Sequence, residues 1–335
     1  MSTYTITAYG TAPPADFKKV TYKAGPLKSN EALIKILCCG FCYTDFYSLG
    51  KDGKILGHEA VGIVEEIGDG VKNINVGDVV GFGYQRSSCE HCEQCETGND
   101  NLCKDKVVYS DDGVQAGFAQ HAIWDASFVF KIPKEIEPKY AGPLMCAGAT
   151  VFGAFYNYNL SPTATVGVIG IGGLGHLALK FARAWGCKVV ALSGSANKKE
   201  EALEHGAHEF WNTREVLTSV EEAQKLPKLD FILNTVSGDL PWDYYMHLLR
   251  PNGLFIIVGI PSKDFTLPAI PFFQQVRFAG SVIASRAVQK KMLEFAARHN
   301  IVPQIEEFSM TEQGLKEAMQ KIKENTIRYR AVLMA

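Results

Sequence analysis

Four cysteines fall within fifteen residues of one polar loop, as Cys89, Cys92, Cys95 and Cys103. Thiolates at such short spacings suit the closed tetrahedral site of a structural Zn²⁺ ion. An iron–sulfur cluster is disfavoured, because its bacterial-type run ends Cys-x3-Cys-Pro. Here the last gap is seven residues, and Lys104 follows it. We therefore predict a structural zinc in the loop 88–104, with His91 as a solvated neighbour.

A second group of candidate metal ligands is spread along the chain and comprises Cys42, His58 and Cys146. Three ligands of the Cys₂His type leave a fourth position open for exchange, which is the arrangement of a catalytic zinc. Asp45 or Glu59 is placed to orient His58 by a hydrogen bond. A redox dithiol formed by Cys39 and Cys42 is the alternative, and it is disfavoured because no βαβ unit surrounds the pair.

A glycine-rich turn follows an apolar strand-like run and opens an apolar helix-like run; it contains Gly170, Gly172, Gly173, Leu174 and Gly175. In this context the G-x-G-x-x-G pattern is typical of a dinucleotide site, in which phosphates bind the free N–H groups of the helix start. An ordinary glycine-rich strand–helix turn is the alternative. The context favours the dinucleotide site.

The end of the next predicted strand indicates which dinucleotide binds. An NAD site usually places an acidic residue there for the ribose 2′-hydroxyl. This chain instead has Ser193, Ser195 and Lys198, whose hydroxyls and ammonium group suit a 2′-phosphate. NADP(H) is therefore favoured over NAD(H). The alternative is an ordinary turn and helix cap.

The elements that must position these residues divide the chain in two. Residues 1–145 contain short β-like runs separated by glycine, proline and aspartate, which predicts a partly open barrel or a strongly bent sheet. Residues 148–285 alternate strand-like and helix-like runs, which predicts a parallel sheet with helices on both faces. The predicted strands there are Thr165–Ile169, Lys188–Leu192, Phe231–Asn234, Leu254–Val258 and Phe278–Ile283.

Composition excludes several classes of protein. The 335 residues carry a formal net charge of −2, so a nucleic-acid-binding protein would lack its basic footprint. No apolar run approaches the length of a membrane span, and the first ten residues are too polar for a signal peptide. Nine cysteines then favour metal binding in a reducing compartment, and we expect a cytoplasmic protein.

Several motifs in the same order together resemble the zinc-dependent medium-chain alcohol dehydrogenases, and most of all their cinnamyl alcohol dehydrogenase branch. The resemblance runs from about Glu31 to Ala331. It is carried by the four-cysteine loop and by the motifs Cys39–Asp45 (CGFCYTD), Gly57–Gly62 (GHEAVG), Pro143–Thr150 (PLMCAGAT), Gly170–Gly175 (GIGGLG), Lys198–Leu203 (KKEEAL) and Arg328–Leu333 (RYRAVL).

The resemblance implies an α/β fold with a GroES-like catalytic domain at 1–147, a Rossmann domain at 148–285 and a return to the catalytic domain at 286–335. It also implies a homodimer. It assigns the catalytic zinc to Cys42, His58 and Cys146, an acidic neighbour of that zinc to Glu59, and a substrate-binding hydroxyl to Thr44. A proton-relaying histidine of the family corresponds to Tyr47 here, and Gly194 replaces a hydroxyl residue.

The implied activity is hydride transfer between NADP(H) and a primary alcohol or aldehyde, mainly as aldehyde reduction, with two zinc ions per chain. Aromatic, allylic or medium-chain substrates are expected, although the segment Ser48–Leu56 is shorter than the family usually shows. Two alternatives remain: an NADPH-dependent alkene reductase without catalytic zinc, and a non-catalytic nucleotide sensor.

Overall fold

Strands and short helices alternate along the computed structural model, which describes residues 3–111, 113–261 and 263–335. The strands are β1 (Tyr4–Ala12), β2 (Asp16–Ala24), β3 (Glu31–Phe41), β4 (Ala60–Ile67), β5 (Val79–Phe82), β6 (Gln85–Ser87), β7 (Val107–Val108), β8 (His121–Asp125), β9 (Val129–Lys131), β10 (Thr165–Ile169), β11 (Lys188–Ser193), β12 (Glu209–Asn212), β13 (Leu229–Asn234), β14 (Leu249–Ile257), β15 (Arg277–Gly280), β16 (Ile305–Ser309) and β17 (Arg330–Met334).

The helices are α1 (Glu93–Glu96), α2 (Pro138–Pro143), α3 (Ala149–Asn157), α4 (Gly175–Trp185), α5 (Lys199–Glu204), α6 (Thr213–Val216), α7 (Val220–Lys225), α8 (Trp242–Met246), α9 (Ile270–Gln274), α10 (Arg286–Arg298) and α11 (Glu312–Lys323). The chain divides into two units, one formed by Met1–Ala149 with Ala284–Ala335 and the other by Thr150–Ile283.

The first unit is built on a seven-stranded sheet. Its order is β16-β17-β3-β4-β5-β9, with β8 paired to β3, and all its pairs are antiparallel except β16–β17. The C-terminal strand β17 therefore lies beside β3, although some 290 residues separate them in sequence. The core beneath this sheet is aromatic: Trp124 stacks on Phe82 with ring centroids 4.2 Å apart, and both are fully buried.

The second unit is a six-stranded parallel sheet of order β12-β11-β10-β13-β14-β15. Its central strand β10 (TVGVI) is almost wholly apolar and buried, as parallel strands covered on both faces must be. The strand order reverses between β10 and β13, which makes the ends of these strands a switch point of a doubly wound fold. The predicted doubly wound parallel sheet is confirmed.

The strand predictions for this unit were wrong at two places. The strand β12 was missed, because its sequence EFWN is short and mixed in polarity. Between β12 and β13 the chain forms two separate helices, α6 and α7, because the Ser219 hydroxyl accepts a hydrogen bond from the Glu222 N–H and starts α7. The last strand, β15, ends at Gly280 and not at Ile283.

Candidate active site

Three segments of the first unit bring the candidate catalytic ligands together. Cys42 follows the end of β3 and precedes a 3₁₀ turn at Tyr43–Ser48. His58 and Glu59 come just before β4, the antiparallel neighbour of β3. Cys146 lies in a π-helical turn at Leu144–Gly148, directly after α2. The pairing of β3 with β4 brings Cys42 and His58 together, and the turn after α2 adds Cys146.

The ligand atoms of this group fit a metal ion. One atom each from Cys42, His58, Glu59 and Cys146 lies within 4.8 Å of all the others, and the two Sγ atoms are 4.0 Å apart. In a tetrahedral zinc site the sulfur atoms are separated by about 3.8 Å, given Zn–S bonds of about 2.3 Å. The His58 Nε2 atom is buried and has no hydrogen-bond partner in the described part of the chain. A buried donor set of this type, with an orphaned imidazole nitrogen, fits zinc.

Asp45 holds the group in position. Its carboxylate accepts hydrogen bonds from the backbone N–H of Cys42 at 3.1 Å and of Gly57 at 3.1 Å, and it lies 3.2 Å from His58 Nδ1. With its Nδ1 proton directed to Asp45, the imidazole presents Nε2 to the two sulfur atoms. Of the two acids predicted to orient His58, Asp45 makes the contact.

Gly57 has no tolerance for a side chain. Its backbone is left-handed, with φ of +93°, and a Cβ atom there would lie 2.6 Å from the ring of Phe118. Only glycine adopts this conformation without strain. The glycine therefore sets the direction in which His58 leaves the turn.

Glu59 pairs with Arg330, a residue that the sequence analysis did not single out by itself. The two side chains form a buried ion pair that joins the start of β4 to β17. Burial raises the pKa of Glu59 to about 7, although Arg330 opposes this shift. Arg330 is buried at the start of an otherwise apolar strand (RAVLM), and a charge at that position was the signal that a carboxylate faces it.

Thr44 lies next to the candidate zinc ligands, whereas Tyr47 faces solvent. The Cys42 thiol lies 3.5 Å from the Thr44 hydroxyl, so Thr44 adjoins the candidate metal site. Tyr47 is 59% exposed and places its ring edge against Tyr43. No hydrogen bond found among residues 3–111, 113–261 and 263–335 joins Tyr47 to the candidate ligands.

The electrostatics of the group favour a thiolate beside an imidazolium. The neighbouring Cys146 thiol and the charge of His58 hold the pKa of Cys42 well below its usual value, against the effect of burial. Burial alone would lower the pKa of His58, but Asp45 and Cys42 raise it well above its usual value. A divalent cation would replace these protons, since zinc binds thiolate and neutral imidazole.

The four-cysteine loop forms a second group. Its Sγ atoms lie within 4.8 Å of one another, and three of the separations are 3.9 Å (Cys89–Cys95), 3.6 Å (Cys92–Cys95) and 3.5 Å (Cys89–Cys103). These values again bracket the edge of a ZnS₄ tetrahedron, about 3.8 Å. Arg286 anchors the loop through ion pairs with Glu90 at 2.7 Å and Asp100 at 3.6 Å. His91 is outside this group of ligand atoms.

Cys103→Ser is expected to remove one zinc ion per chain and to lower Tm by at least about 5 °C, since a metal that holds a loop contributes directly to folding. Zinc content and thermal unfolding check this, with His91→Ala as the control, because His91 is an exposed residue of the same loop outside the ligand group. Full zinc content and an unchanged Tm in Cys103→Ser would contradict a structural zinc in the loop.

The glycine-rich turn of the second unit has the shape of a phosphate cradle. Gly170 is left-handed with φ of +84°, and a Cβ atom at Gly175 would lie 1.8 Å from the Gly170 carbonyl oxygen. A Cβ atom at Gly172, by contrast, would meet nothing within 4 Å. Gly172 therefore leaves the backbone open to a ligand in front of α4, where the free N–H groups of a helix start lie. Gly173 and Leu174 complete the turn into this helix.

The predicted 2′-phosphate residues lie at the end of β11. Ser193 is buried and its hydroxyl accepts a hydrogen bond from the Ser195 N–H at 3.2 Å. The Lys198 ammonium donates to the Ile171 carbonyl oxygen at 2.5 Å, within the glycine-rich turn. Lys198 is thus bound to the phosphate-binding turn in this structure, while the two serines remain at the strand end.

Comparisons with known proteins identify the family. Residues 28–134 match the model of the alcohol dehydrogenase GroES-like domain, and residues 173–298 match that of the zinc-binding dehydrogenases. The aldehyde reductase AdhA of Synechocystis is 38% identical over 324 residues, which cover 93% of each protein. The chain belongs to the zinc-dependent medium-chain alcohol dehydrogenases. The predicted family and the predicted GroES-like and Rossmann architecture are therefore confirmed.

Solved alcohol dehydrogenases share this fold over the full length of the chain. The cinnamyl alcohol dehydrogenase SbCAD4 of Sorghum bicolor has a TM-score of 0.90 and 32% identity, and covers 99% of this chain and 98% of its own. The Helicobacter pylori CAD, solved as a complex with NADP(H), has a TM-score of 0.88 and 27% identity, with 99% of both chains covered. Within the described residues of this alcohol dehydrogenase, no helix is long and apolar enough to span a bilayer.

Proposed function

We propose that this alcohol dehydrogenase uses zinc and NADPH to reduce aldehydes to primary alcohols. The observation that carries the proposal is the buried group of Cys42, His58 and Cys146, with His58 oriented by Asp45 and its Nε2 atom unpaired. An alkene reductase without catalytic metal would have no use for two buried sulfurs and an imidazole converging within 4.8 Å.

The three ligands would hold the catalytic zinc and leave one position for substrate oxygen. The bound ion supplies Lewis acidity, which polarises an aldehyde carbonyl or lowers the pKa of an alcohol. Asp45 fixes the imidazole, and Glu59 with Arg330 keeps a carboxylate next to the ligands without an uncompensated charge. Cys89, Cys92, Cys95 and Cys103 would hold the structural zinc.

Thr44 would donate the proton that the substrate oxygen takes up. Its hydroxyl, 3.5 Å from the Cys42 sulfur, is placed to hydrogen-bond a substrate oxygen and to deliver a proton to it as the carbonyl is reduced. Tyr47 is exposed, and among the described residues no hydrogen bond joins it to the candidate ligands. Water next to Thr44 would then carry the proton to solvent.

NADPH would bind the second unit and supply the hydride. The open backbone at Gly172, the close packing of Gly170 on Gly175 and the start of α4 support a pyrophosphate site there. The absence of an acid at the end of β11, where Ser193 and Ser195 stand, supports NADP(H) over NAD(H). The NADP(H) complex of the similar H. pylori enzyme supports the same choice.

The substrate class follows from the relatives. Their names include an aldehyde reductase and several probable cinnamyl alcohol dehydrogenases. We therefore place this chain among enzymes that act on aromatic, allylic or medium-chain aldehydes.

A homodimer in the cytoplasm completes the proposal. The strand β15 is an edge of the parallel sheet, and exposed apolar side chains occur near it in sequence at Ile260, Phe272, Phe273 and Val282. Edge strands and apolar patches of this kind are covered by a second copy in many dimers. All nine cysteines are free, which suits a reducing compartment.

Initial rates of cinnamaldehyde reduction test the proposal. We expect turnover with NADPH and a kcat/KM at least about tenfold lower with NADH, since a recognised 2′-phosphate adds charge-assisted hydrogen bonds. Metal analysis of the same preparation should give two zinc ions per chain. Reduction of the alkene in place of the carbonyl, with one zinc per chain, would support the alkene reductase. Binding of NADPH without turnover of any aldehyde would support the nucleotide sensor.

A further inference from the structure

The Arg214 side chain lies against Gly194, the residue that stands between the two serines of the predicted 2′-phosphate site. The strands β11 and β12 are parallel, with Ser193 in register with Asn212, so α6 begins beside that strand end. A Cβ atom on Gly194 would lie 3.3 Å from Nε and 3.6 Å from Cγ of Arg214. The missing side chain at Gly194 therefore leaves the space that the Arg214 side chain occupies.

The backbone of Arg214 is held by a hydrogen bond, while its guanidinium has no acidic partner among the described residues. The Asn212 side chain accepts a hydrogen bond from the Arg214 N–H at 3.3 Å and starts α6. The neighbouring acid, Glu215, is engaged by the Asn212 amide at 2.5 Å. Arg214 is exposed, and in the part of the chain that the structure describes no carboxylate forms an ion pair with it.

A second cation of this region, Lys198, is bound at another place. The Lys198 ammonium bonds the Ile171 carbonyl oxygen in the glycine-rich turn. Arg214, by contrast, lies over Gly194, whose neighbours in sequence are Ser193 and Ser195. A guanidinium also offers a planar pair of donors that matches two phosphate oxygens, which an ammonium group does not.

We propose that Arg214 binds the 2′-phosphate of NADP(H) and is the main determinant of the preference for NADP(H) over NAD(H). The inference rests on the proposed function, because it assumes that the end of β11 receives the adenosine ribose, as in other doubly wound folds. Ser193 and Ser195 then donate hydroxyl hydrogen bonds, and Arg214 supplies the charge. NAD(H), which has a neutral 2′-hydroxyl, gains little from that charge.

Dissociation constants of NADPH and NADH, measured without substrate, test the inference. Arg214→Ala is expected to raise the Kd of NADPH by about 10–100-fold, the size of one or two charge-assisted hydrogen bonds, and to change the Kd of NADH less than about twofold. Arg214→Lys keeps the charge but not the paired donors. Its Kd for NADPH should therefore lie between that of the unmodified protein and that of Arg214→Ala. Arg250→Ala is the matched control, because Arg250 is an exposed arginine of the same unit that pairs with Asp230.

The results separate the inference from the proposed function. If the unmodified protein prefers NADPH and Arg214→Ala keeps that preference, the role of Arg214 is overturned while NADPH dependence stands. If Arg214→Ala weakens NADPH and NADH equally, Arg214 serves the fold or the shared part of the dinucleotide, and the inference again fails. If the unmodified protein shows no preference, both the cofactor assignment and the inference are wrong. Equal losses in Arg250→Ala would show a general charge effect and would also overturn it.

Discussion

Cys42→Ser is expected to lower kcat for aldehyde reduction by about a thousandfold or more and to remove one of two zinc ions per chain. The reason is that a Lewis acid contributes several kcal/mol to stabilising charge in the transition state, and each 1.4 kcal/mol is tenfold in rate. A serine hydroxyl is a poor zinc ligand, and Cys42 is one of three N or S donors that converge there among the residues that the structure describes. NADPH affinity should change little, because the glycine-rich turn belongs to the other unit.

Cys39→Ser is the matched control for this change. Cys39 is also buried, and it is three residues away, but its thiol donates to the Gly40 carbonyl oxygen at 3.4 Å and lies outside the ligand group. The control should keep both zinc ions and most of its rate. Two zinc ions and an undiminished rate in Cys42→Ser would refute the metal assignment. Equal loss of rate in both variants, with zinc retained in both, would revive the redox dithiol.

Sequence patterns predicted the parts of the fold and site that are locally encoded. The strand β10, the glycine-rich turn and the start of α4 are continuous in sequence, so their apolar runs and glycines could be interpreted directly. The four-cysteine loop is likewise a single segment. Its spacing alone restricts the chemistry, because short-range thiols suit one tetrahedral ion.

Long-range contacts set the limit of that analysis. The sequence placed two acids, Asp45 and Glu59, near His58, and only the fold shows that Asp45 caps the turn after Cys42 while Glu59 turns to Arg330. The pairing of β17 with β3 that brings Arg330 there spans almost the whole chain. Arg214 was missed for a similar reason, since it reaches Gly194 only because β12 lies beside β11.

Arg330→Met is the second change with a large expected effect, here on stability. The Glu59–Arg330 pair is buried, and removing one partner of such a pair costs about 3–5 kcal/mol because the other charge is left uncompensated. Glu59 would have to remain charged without its partner or bind a proton next to the zinc ligands. The free energy of unfolding should fall by about 3–5 kcal/mol. Urea titration followed by tryptophan fluorescence measures it, since Trp124 is buried in the unit that contains the pair.

The double variant Glu59→Gln with Arg330→Met distinguishes a lost ion pair from lost packing. With both charges removed, most of the loss should be recovered, since buried ion pairs are often no better than neutral groups of similar size. Arg250→Met is the exposed counterpart: Arg250 pairs with Asp230 at 2.8 Å, and its loss should cost less than about 1 kcal/mol. If the losses in Arg330→Met and Glu59→Gln simply added in the double variant, the two residues would stabilise the fold independently. The contribution of Arg330 to stability would then come from its packing around β17 and not from its charge. The charge at the start of an apolar strand would in that case not have indicated a stabilising ion pair.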